Sequence, residues 1–386
     1  MKTKRLFVFF PFLDSVANWL YPIMPFFSSY GYEVTVLHMH RLSYGIAGDS
    51  RKADDKLKYI DLSNSGAKNI ERILVDIDPD AVVFFGHHSL SELIILVCAQ
   101  AHGIKTIFVQ HGAFEGKRFS VVSKRSSAMR YARLLTKYAT MSSFLDSPII
   151  GIRRLIDFAR LSQYRLSTFD GGVFYSRYNY ERINHELNIP EANAVFAGFP
   201  MYSEAAQIGH IVDERDAPIV LYLKQHMIPK LSAISSREEL DYFARISGVC
   251  ADAGYRLVVR LHPRDSRDFY ETAFSDRGVD LDHSESLLGA INHAVCVVSQ
   301  SSTALFGAVK LRKPIIDIFY PGFCSYTDTF AELACAVPTY ESLELTLRDL
   351  PAVDEDKYSE FEERYVGYKN SYQEQAESII SLIEGK

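Results

Sequence analysis

Cysteine is scarce in this sequence, with five residues among 386. The five are an odd number, lie far apart and include no Cys-x-x-Cys pair: Cys98, Cys250, Cys296, Cys324 and Cys335. This pattern argues against a disulfide-stapled secreted fold and against a cysteine zinc site. It favours buried thiols in a reducing compartment, so we expect a cytoplasmic protein.

Long apolar runs and glycine-rich nucleotide motifs are missing as well. No stretch reaches the roughly 18 apolar residues that a membrane span needs. The first residues resemble a signal peptide, but Pro11 and Asp14 interrupt the apolar run and no small-residue cleavage site follows. This favours a first strand that leads into a helix, capped by Asp14 and running to about Tyr30. No G-x-G-x-x-G follows that strand and no P-loop is present, which argues against a dehydrogenase and a P-loop kinase. The formal net charge of -6 and the pI near 6.1 argue against nucleic-acid binding.

The sequence does contain short apolar runs that alternate with longer amphipathic stretches, the pattern of strands and crossover helices around parallel sheets. We predict a first Rossmann-like domain over 1–205, with strands at 5–10, 33–39, 81–85, 105–109, 172–175 and 194–197. A second such domain is predicted over 214–353, with strands at 219–223, 256–261, 279–282, 295–299 and 314–318. The charged tail, 354–386, is predicted to be helical and to cross back to the first domain.

Residues 117–166 form a basic insertion in the first domain, where only Asp146 and Asp157 oppose many Arg and Lys residues. The stretch 149–166 places apolar side chains on one helical face and arginines on the other, including Arg153, Arg154 and Arg160. Such a helix suits a membrane surface or an anionic acceptor. A solvated helical insertion is the alternative.

His262 and Pro263 end a predicted strand of the second domain. Proline lacks an N–H and disfavours helix for the residue before it, so the imidazole is held at the carboxyl end of the sheet. A histidine there can donate to a phosphate oxygen, with most effect on a departing phosphate whose charge is growing. A histidine that merely caps a turn is the alternative.

A run of hydroxyl side chains follows another predicted strand and opens a helix: Ser299, Ser301, Ser302 and Thr303. Unpaired N–H groups, the helix dipole and these hydroxyls together predict an anion site that needs no glycine. Ordinary helix capping would explain two such residues but hardly the whole run. We therefore expect phosphate binding here.

Lys224 and Gln225 end the first strand of the second domain and bring a cation and an amide to the same end of the sheet. A surface lysine is the alternative. Their place beside the histidine and the hydroxyl run favours contact with the same phosphate-bearing ligand.

A catalytic base is expected from the first domain. Attack by a hydroxyl group at the atom next to such a phosphate requires a carboxylate or histidine to accept the hydroxyl proton. The strand ends offer Asp14, His87, His88, His111 and Glu115, and the loop 110–116 with His111 and Glu115 is favoured. The sequence does not firmly rank Glu115, His111 and Asp14, and a structural cap is the alternative for Asp14.

Asp76, Asp78 and Asp80 resemble a metal-binding cluster. They precede a predicted strand, at the end of the sheet opposite the expected site, so a solvated helix-to-strand loop is favoured. We therefore expect chemistry without a metal or other cofactor, with hydrogen-bond donors and helix dipoles stabilising the leaving phosphate.

With these residues in view, the chain resembles the GT-B glycosyltransferases that carry a His-Pro motif and a serine motif, such as bacterial sialyltransferases, polysialyltransferases and capsular Kdo transferases. The resemblance rests on three motifs: Arg260-Leu261-His262-Pro263, Ser299-Gln300-Ser301-Ser302-Thr303 with Lys313-Pro314, and Gln110-His111-Gly112. It implies two Rossmann-like domains facing a cleft. It also implies that His262, Ser301 and Ser302 hold the phosphate of a CMP-sugar.

The same resemblance implies that Asp282, His283, Ser284 and Glu285 line the nucleotide base and ribose. The implied reaction transfers an acidic sugar to an oligosaccharide or lipid-linked glycan at the inner face of the membrane. The acidic motif that carries the base in sialyltransferases is reduced here to Phe114-Glu115-Gly116, with one acid. A CDP-polyol phosphotransferase, a UDP-sugar transferase and a nucleotide-sugar 2-epimerase remain alternatives within this fold, and a non-catalytic binding module lies outside these enzyme classes.

Overall fold

The computed structural model describes residues 3–10, 16–39, 57–62, 65, 67–86, 90–112, 169–200, 217–225, 235–262, 265–284, 286–300, 302–319, 329–367 and 371–385. The chain divides into two compact units. The N-terminal unit also takes in the C-terminal residues from Gly367 onwards, and the C-terminal unit ends at Val366.

The N-terminal unit contains a seven-stranded parallel sheet in the order β3-β2-β1-β4-β5-β6-β7. Its strands are β1 (Lys4–Phe10), β2 (Tyr32–His38), β3 (Lys58–Asp61), β4 (Ala81–Phe84), β5 (Lys105–Val109), β6 (Gly171–Phe174) and β7 (Ala194–Phe196). Its described helices are α1 (Val16–Trp19), α2 (Met24–Ser29), α3 (Ala67–Ile77), α4 (Leu90–Ala101), α5 (Arg177–Leu187) and α12 (Tyr372–Glu384). The continuous apolar run from Leu6 to Phe10 is buried, as expected for a parallel strand covered on both faces.

The C-terminal unit contains a six-stranded parallel sheet in the order β10-β9-β8-β11-β12-β13. Its strands are β8 (Ile219–Leu223), β9 (Arg256–Arg260), β10 (Asp280–Leu281), β11 (Ala294–Ser299), β12 (Ile315–Ile318) and β13 (Ala334–Val337). Its described helices are α6 (Ser236–Asp252), α7 (Arg267–Ser275), α8 (Leu287–His293), α9 (Leu305–Lys310), α10 (Tyr340–Arg348) and α11 (Glu355–Phe361). The predicted pair of parallel α/β sheets is confirmed.

The predicted first helix is interrupted in the structure. One helix was expected from Asp14 to about Tyr30, but α1 ends at Trp19 and α2 begins at Met24. Pro22 and Pro25 explain the break, because each lacks the N–H that a helix interior uses.

The C-terminal tail is not a single helical crossing. Residues 354–366, which include α11 and a π-helical turn at Glu362–Val366, belong to the C-terminal unit. Gly367 has φ +79°, and a Cβ added there would lie 2.1 Å from the carbonyl oxygen of Tyr175. Only glycine therefore fits this close approach, after which α12 packs on the N-terminal unit.

Candidate active site

Three strand ends singled out in the sequence lie side by side at the carboxyl end of the C-terminal sheet. Strand β8 is flanked by β9 and β11, and Leu223 pairs with Arg260 on one side and Ser299 on the other. The backbone N–H of Lys224 donates to the carbonyl of Arg260 at 3.0 Å. The segments that follow these strands therefore meet at the end of the sheet where open α/β folds bind ligands.

His262 opens a tight turn that Asp265 closes. The backbone N–H of His262 donates to Asp265 Oδ2 at 3.1 Å, and the N–H of Asp265 donates to the His262 carbonyl at 2.9 Å. His262 itself is half-buried. Pro263 lies outside the described residues. Asp265 was overlooked in the sequence, although an aspartate that bonds a nearby backbone N–H is a common way to fix a turn.

The serine motif divides into a structural part and a part at a helix start. Ser299 is fully buried, and its hydroxyl donates to the Leu223 carbonyl at 3.0 Å, so that proton joins β11 to β8. Ser302 and Thr303 are half-buried, and their carbonyls accept the first helical bonds, from Leu305 and Phe306. Helix α9 begins at Leu305, slightly later than expected. Ser301 lies outside the described residues.

Lys224 is buried among protein carboxylates. Its Nζ lies 3.1 Å from Glu239 Oε1 and 3.2 Å from Asp265 Oδ2. The ring of Tyr270 lies beneath the ammonium, with its centroid 5.0 Å away, and the Tyr270 hydroxyl donates to Glu239 Oε2 at 2.7 Å. The described contacts of this lysine are thus to the protein, and its contact with a donor stays a prediction.

Gln300, in the middle of the serine motif, reaches into the core beneath the site. Its Nε2 hydrogen-bonds the Tyr222 hydroxyl and lies 3.4 Å from the Tyr242 hydroxyl. The two tyrosine oxygens are 3.3 Å apart, and Tyr242 donates to the carbonyl of Phe319 at 2.7 Å. Burial raises the pKa of Tyr222 and of Tyr242, so both hydroxyls stay protonated. This buried chain holds Gln300 from below.

Arg260 is held at the outer side of the same end of the sheet. Its guanidinium pairs with Asp282, and its Nη1 lies 3.1 Å from the Ser284 hydroxyl. Nη2 of Arg267 donates to Nδ1 of His283, which is exposed like Ser284. Arg260 therefore fixes the loop that the resemblance assigns to the base and ribose.

Two further predicted residues complete this group of segments. Gln225 is half-buried, next to Lys224. Glu285 lies outside the described residues. Asp317, on the neighbouring strand, pairs in register with Ser299, and burial raises the pKa of its carboxyl. Sequence reasoning did not single out Asp317, because nothing in an isolated strand pattern marks one half-buried acid.

In the N-terminal unit, His111 is exposed just beyond β5, and the ring of Trp19 meets its imidazole edge-on at a centroid distance of 5.7 Å. Gln110 is buried, and its Oε1 accepts the backbone N–H of Tyr175 at 3.0 Å. Asp14, His87, His88, Glu115 and the basic insertion with Arg153, Arg154 and Arg160 all lie outside the described residues. The choice of base therefore stays open.

Among Asp76, Asp78 and Asp80 of the N-terminal unit, Asp80 has a structural role. Asp80 Oδ2 accepts the backbone N–H of Arg5 at 2.8 Å, which joins the loop before β4 to the start of β1. Within the described ranges, no group of three or more His, Cys, Asp or Glu side chains is arranged to hold a metal ion. None of the described helices has the length and apolarity to cross a bilayer.

Solved structures share this architecture. The spinosyn forosaminyltransferase SpnP has a TM-score of 0.58 at 14% identity, with all of both chains covered. The calicheamicin glycosyltransferase CalG4 has a TM-score of 0.55 at 10% identity, with 100% of this chain and 99% of that chain covered. The S. aureus MnaA–UDP structure has a TM-score of 0.58 at 14% identity, with 99% and 96% covered. At these identities the likeness establishes the GT-B fold.

Sequence comparison identifies the family. No curated protein matches the chain as a relative. A family model for alpha-2,8-polysialyltransferases matches residues 36–315, well over half of the chain. The match spans β8, β9 and β11, whose ends carry the His-Pro and serine motifs. The chain belongs to the alpha-2,8-polysialyltransferase family of glycosyltransferases.

Proposed function

We propose that this protein transfers an acidic sugar from a CMP donor to a surface-glycan acceptor, without a metal. Sialic acid is favoured over Kdo and other nonulosonates because of the family to which the chain belongs. The observation that carries the proposal is the register of β8 between β9 and β11, which places the His262 turn and the serine motif at one end of one sheet.

In the proposed reaction, an acceptor hydroxyl attacks the anomeric carbon while the bond from that carbon to the phosphate oxygen breaks. The phosphate leaves with the bonding electrons, and the His262 imidazole stabilises the growing negative charge. Ser301, Ser302 and Thr303 supply further donors to the phosphate. A base in the N-terminal unit (His111, Glu115 or Asp14) accepts the proton of the hydroxyl. Arg153, Arg154 and Arg160 are proposed to contact the acceptor or an anionic membrane surface.

A single-phosphate donor fits this end of the sheet better than a diphosphate. Lys224, which follows the last residue of β8, is paired with Glu239 and Asp265. Arg260 is likewise paired with Asp282. The other residues predicted to bind the phosphate are His262, Ser301, Ser302 and Thr303, which suits the smaller charge of CMP.

A UDP-sugar is the second candidate donor, since the S. aureus MnaA structure of the same fold contains UDP. Thermal-shift measurements with CMP, CDP, UDP and GDP separate the two. We expect CMP to stabilise the protein most. A clear preference for UDP would overturn the CMP proposal, and a preference for CDP would favour the polyol phosphotransferase.

The role of His262 is tested by replacing it with alanine. We expect His262→Ala to lower kcat by about 100-fold or more, the usual loss when one donor to a developing oxyanion is removed. The matched control is His293→Ala, an exposed histidine at the end of α8. Unchanged turnover in a folded His262→Ala protein would refute the phosphate role.

A further inference from the structure

The turn at His262 is fixed by a carboxylate that is itself held by a buried cation. Asp265 Oδ2 accepts the His262 backbone N–H at 3.1 Å and lies 3.2 Å from Lys224 Nζ. The exposed fractions of the Lys224 and Asp265 side chains are 4% and 5%. Little water therefore reaches this pair. Because the Asp265 carboxylate also bonds the His262 N–H, a shift of the pair would move the backbone of His262.

The pair belongs to a larger cluster of charged and polar side chains. Among the described residues, Lys224 contacts two carboxylates, Glu239 and Asp265, and the Tyr270 hydroxyl donates to Glu239. Removing an ion from water costs several kcal/mol, and apolar residues of similar volume often stabilise a fold equally well. Stability alone is thus a poor reason for these residues to occupy this place.

We propose that Asp265 is a positioning residue for His262 and that Lys224 acts through Asp265 rather than on the donor. Two hydrogen bonds join Asp265 to His262: the Asp265 carboxylate accepts the His262 N–H, and the Asp265 N–H donates to the His262 carbonyl. Together they set the position of the His262 backbone, and the ammonium of Lys224 keeps the carboxylate in place. This inference rests on the proposed role of His262 in holding the donor phosphate. It assigns to Lys224 a different role from the donor contact that the sequence suggests.

The measurement that isolates positioning is the phosphate contribution to nucleotide affinity. We define it as the Kd of the nucleoside divided by the Kd of the nucleotide, measured by calorimetry for cytidine with CMP and for uridine with UDP. The variants are measured with whichever of these two nucleoside–nucleotide sets the wild-type protein binds. A residue that only supports the fold changes both affinities together, whereas a residue that places His262 changes only the nucleotide's.

We expect Asp265→Asn to lower this ratio by about three- to tenfold and to leave nucleoside affinity unchanged. The reason is that a charge-assisted hydrogen bond loses most of its strength when it is misplaced. Asp265→Glu keeps the charge but displaces the carboxylate, and we expect the same loss of the ratio. It serves as the test if Asp265→Asn does not fold. The matched control is Asp268→Asn, an exposed residue in the first turn of α7. Circular dichroism verifies the fold of each variant.

Double variants separate the two roles of Lys224. We expect Lys224→Met to lower the ratio alone but to add less than twofold in the Asp265→Asn background. An additive loss would instead establish direct contact of Lys224 with the phosphate and overturn the inference. An unchanged ratio in folded Asp265→Asn and Asp265→Glu proteins also overturns it.

The His262→Ala variant distinguishes the failures. If His262→Ala lowers the ratio and the Asp265 variants do not, only the positioning role fails. If His262→Ala leaves the ratio unchanged, the proposed role of His262 in binding the donor phosphate is refuted, and the positioning role with it. Wild type that binds neither nucleotide refutes both.

Discussion

The buried chain beneath the serine motif gives a prediction whose size follows from its geometry. Tyr242 uses its one hydroxyl proton on the Phe319 carbonyl, at 2.7 Å. The bond between the two tyrosines therefore has Tyr222 as donor, and the Tyr222 oxygen accepts from Gln300. The direction of every bond is thereby fixed, from Gln300 through Tyr222 and Tyr242 to Phe319.

Cutting this series of hydrogen bonds at either of two points removes one hydrogen-bond partner from a buried polar group. We expect Gln300→Leu and Tyr222→Phe each to lower the free energy of unfolding by about 1–3 kcal/mol, because a buried polar group loses a hydrogen-bond partner. The double variant removes both ends of one bond, so its loss is smaller than the sum by at least about 0.5 kcal/mol.

Urea unfolding followed by circular dichroism at pH 8 measures these values, with Gln373→Leu and Tyr178→Phe as exposed controls. Controls are expected to stay within about 0.5 kcal/mol of wild type. Strictly additive losses for Gln300→Leu and Tyr222→Phe would refute the directed chain.

Two further predictions concern groups whose pKa is raised by burial. Burial raises the pKa of the Cys250 thiol to about 12 and also raises that of Cys296, so iodoacetamide at pH 8 should label neither cysteine in the native protein, and mass spectrometry showing native labelling would contradict this. Burial raises the pKa of Tyr358 from 10.0 to about 12, so its contribution is present below pH 10 and is lost between pH 10 and 12. Wild type should therefore lose about 2–3 kcal/mol more than Tyr358→Phe over that interval, and equal losses in urea unfolding would count against it.

Strand positions were predictable where both faces of a strand are buried. The runs of β1, β8 and β11 are continuously apolar in the sequence, because helices or other elements cover both sides of a parallel sheet. Strand β13 was missed, since its four residues are mostly half-buried or exposed and carry no such run. The break between α1 and α2 was missed although Pro22 and Pro25 mark it.

The C-terminal side of the site was predictable because parallel strands end together. His262 and Ser302 were singled out as strand-end residues, and the register of β8, β9 and β11 brings their segments to one place. The surroundings of Lys224 were not predictable, because its partner Glu239 lies on α6 and only the fold brings them together. No sequence pattern announces such a pairing.

Helix α6 supports both turns at the carboxyl end of the C-terminal sheet. Glu239 and Tyr242 lie about one helical turn apart on it, and they reach Lys224 and Gln300 respectively. A sliding or rotation of α6 would therefore shift the supports of both turns in concert. We therefore expect the spacing between the His262 turn and the serine motif to depend on the packing of α6, so that a change in this spacing requires repacking of α6 as well as substitutions in the two turns.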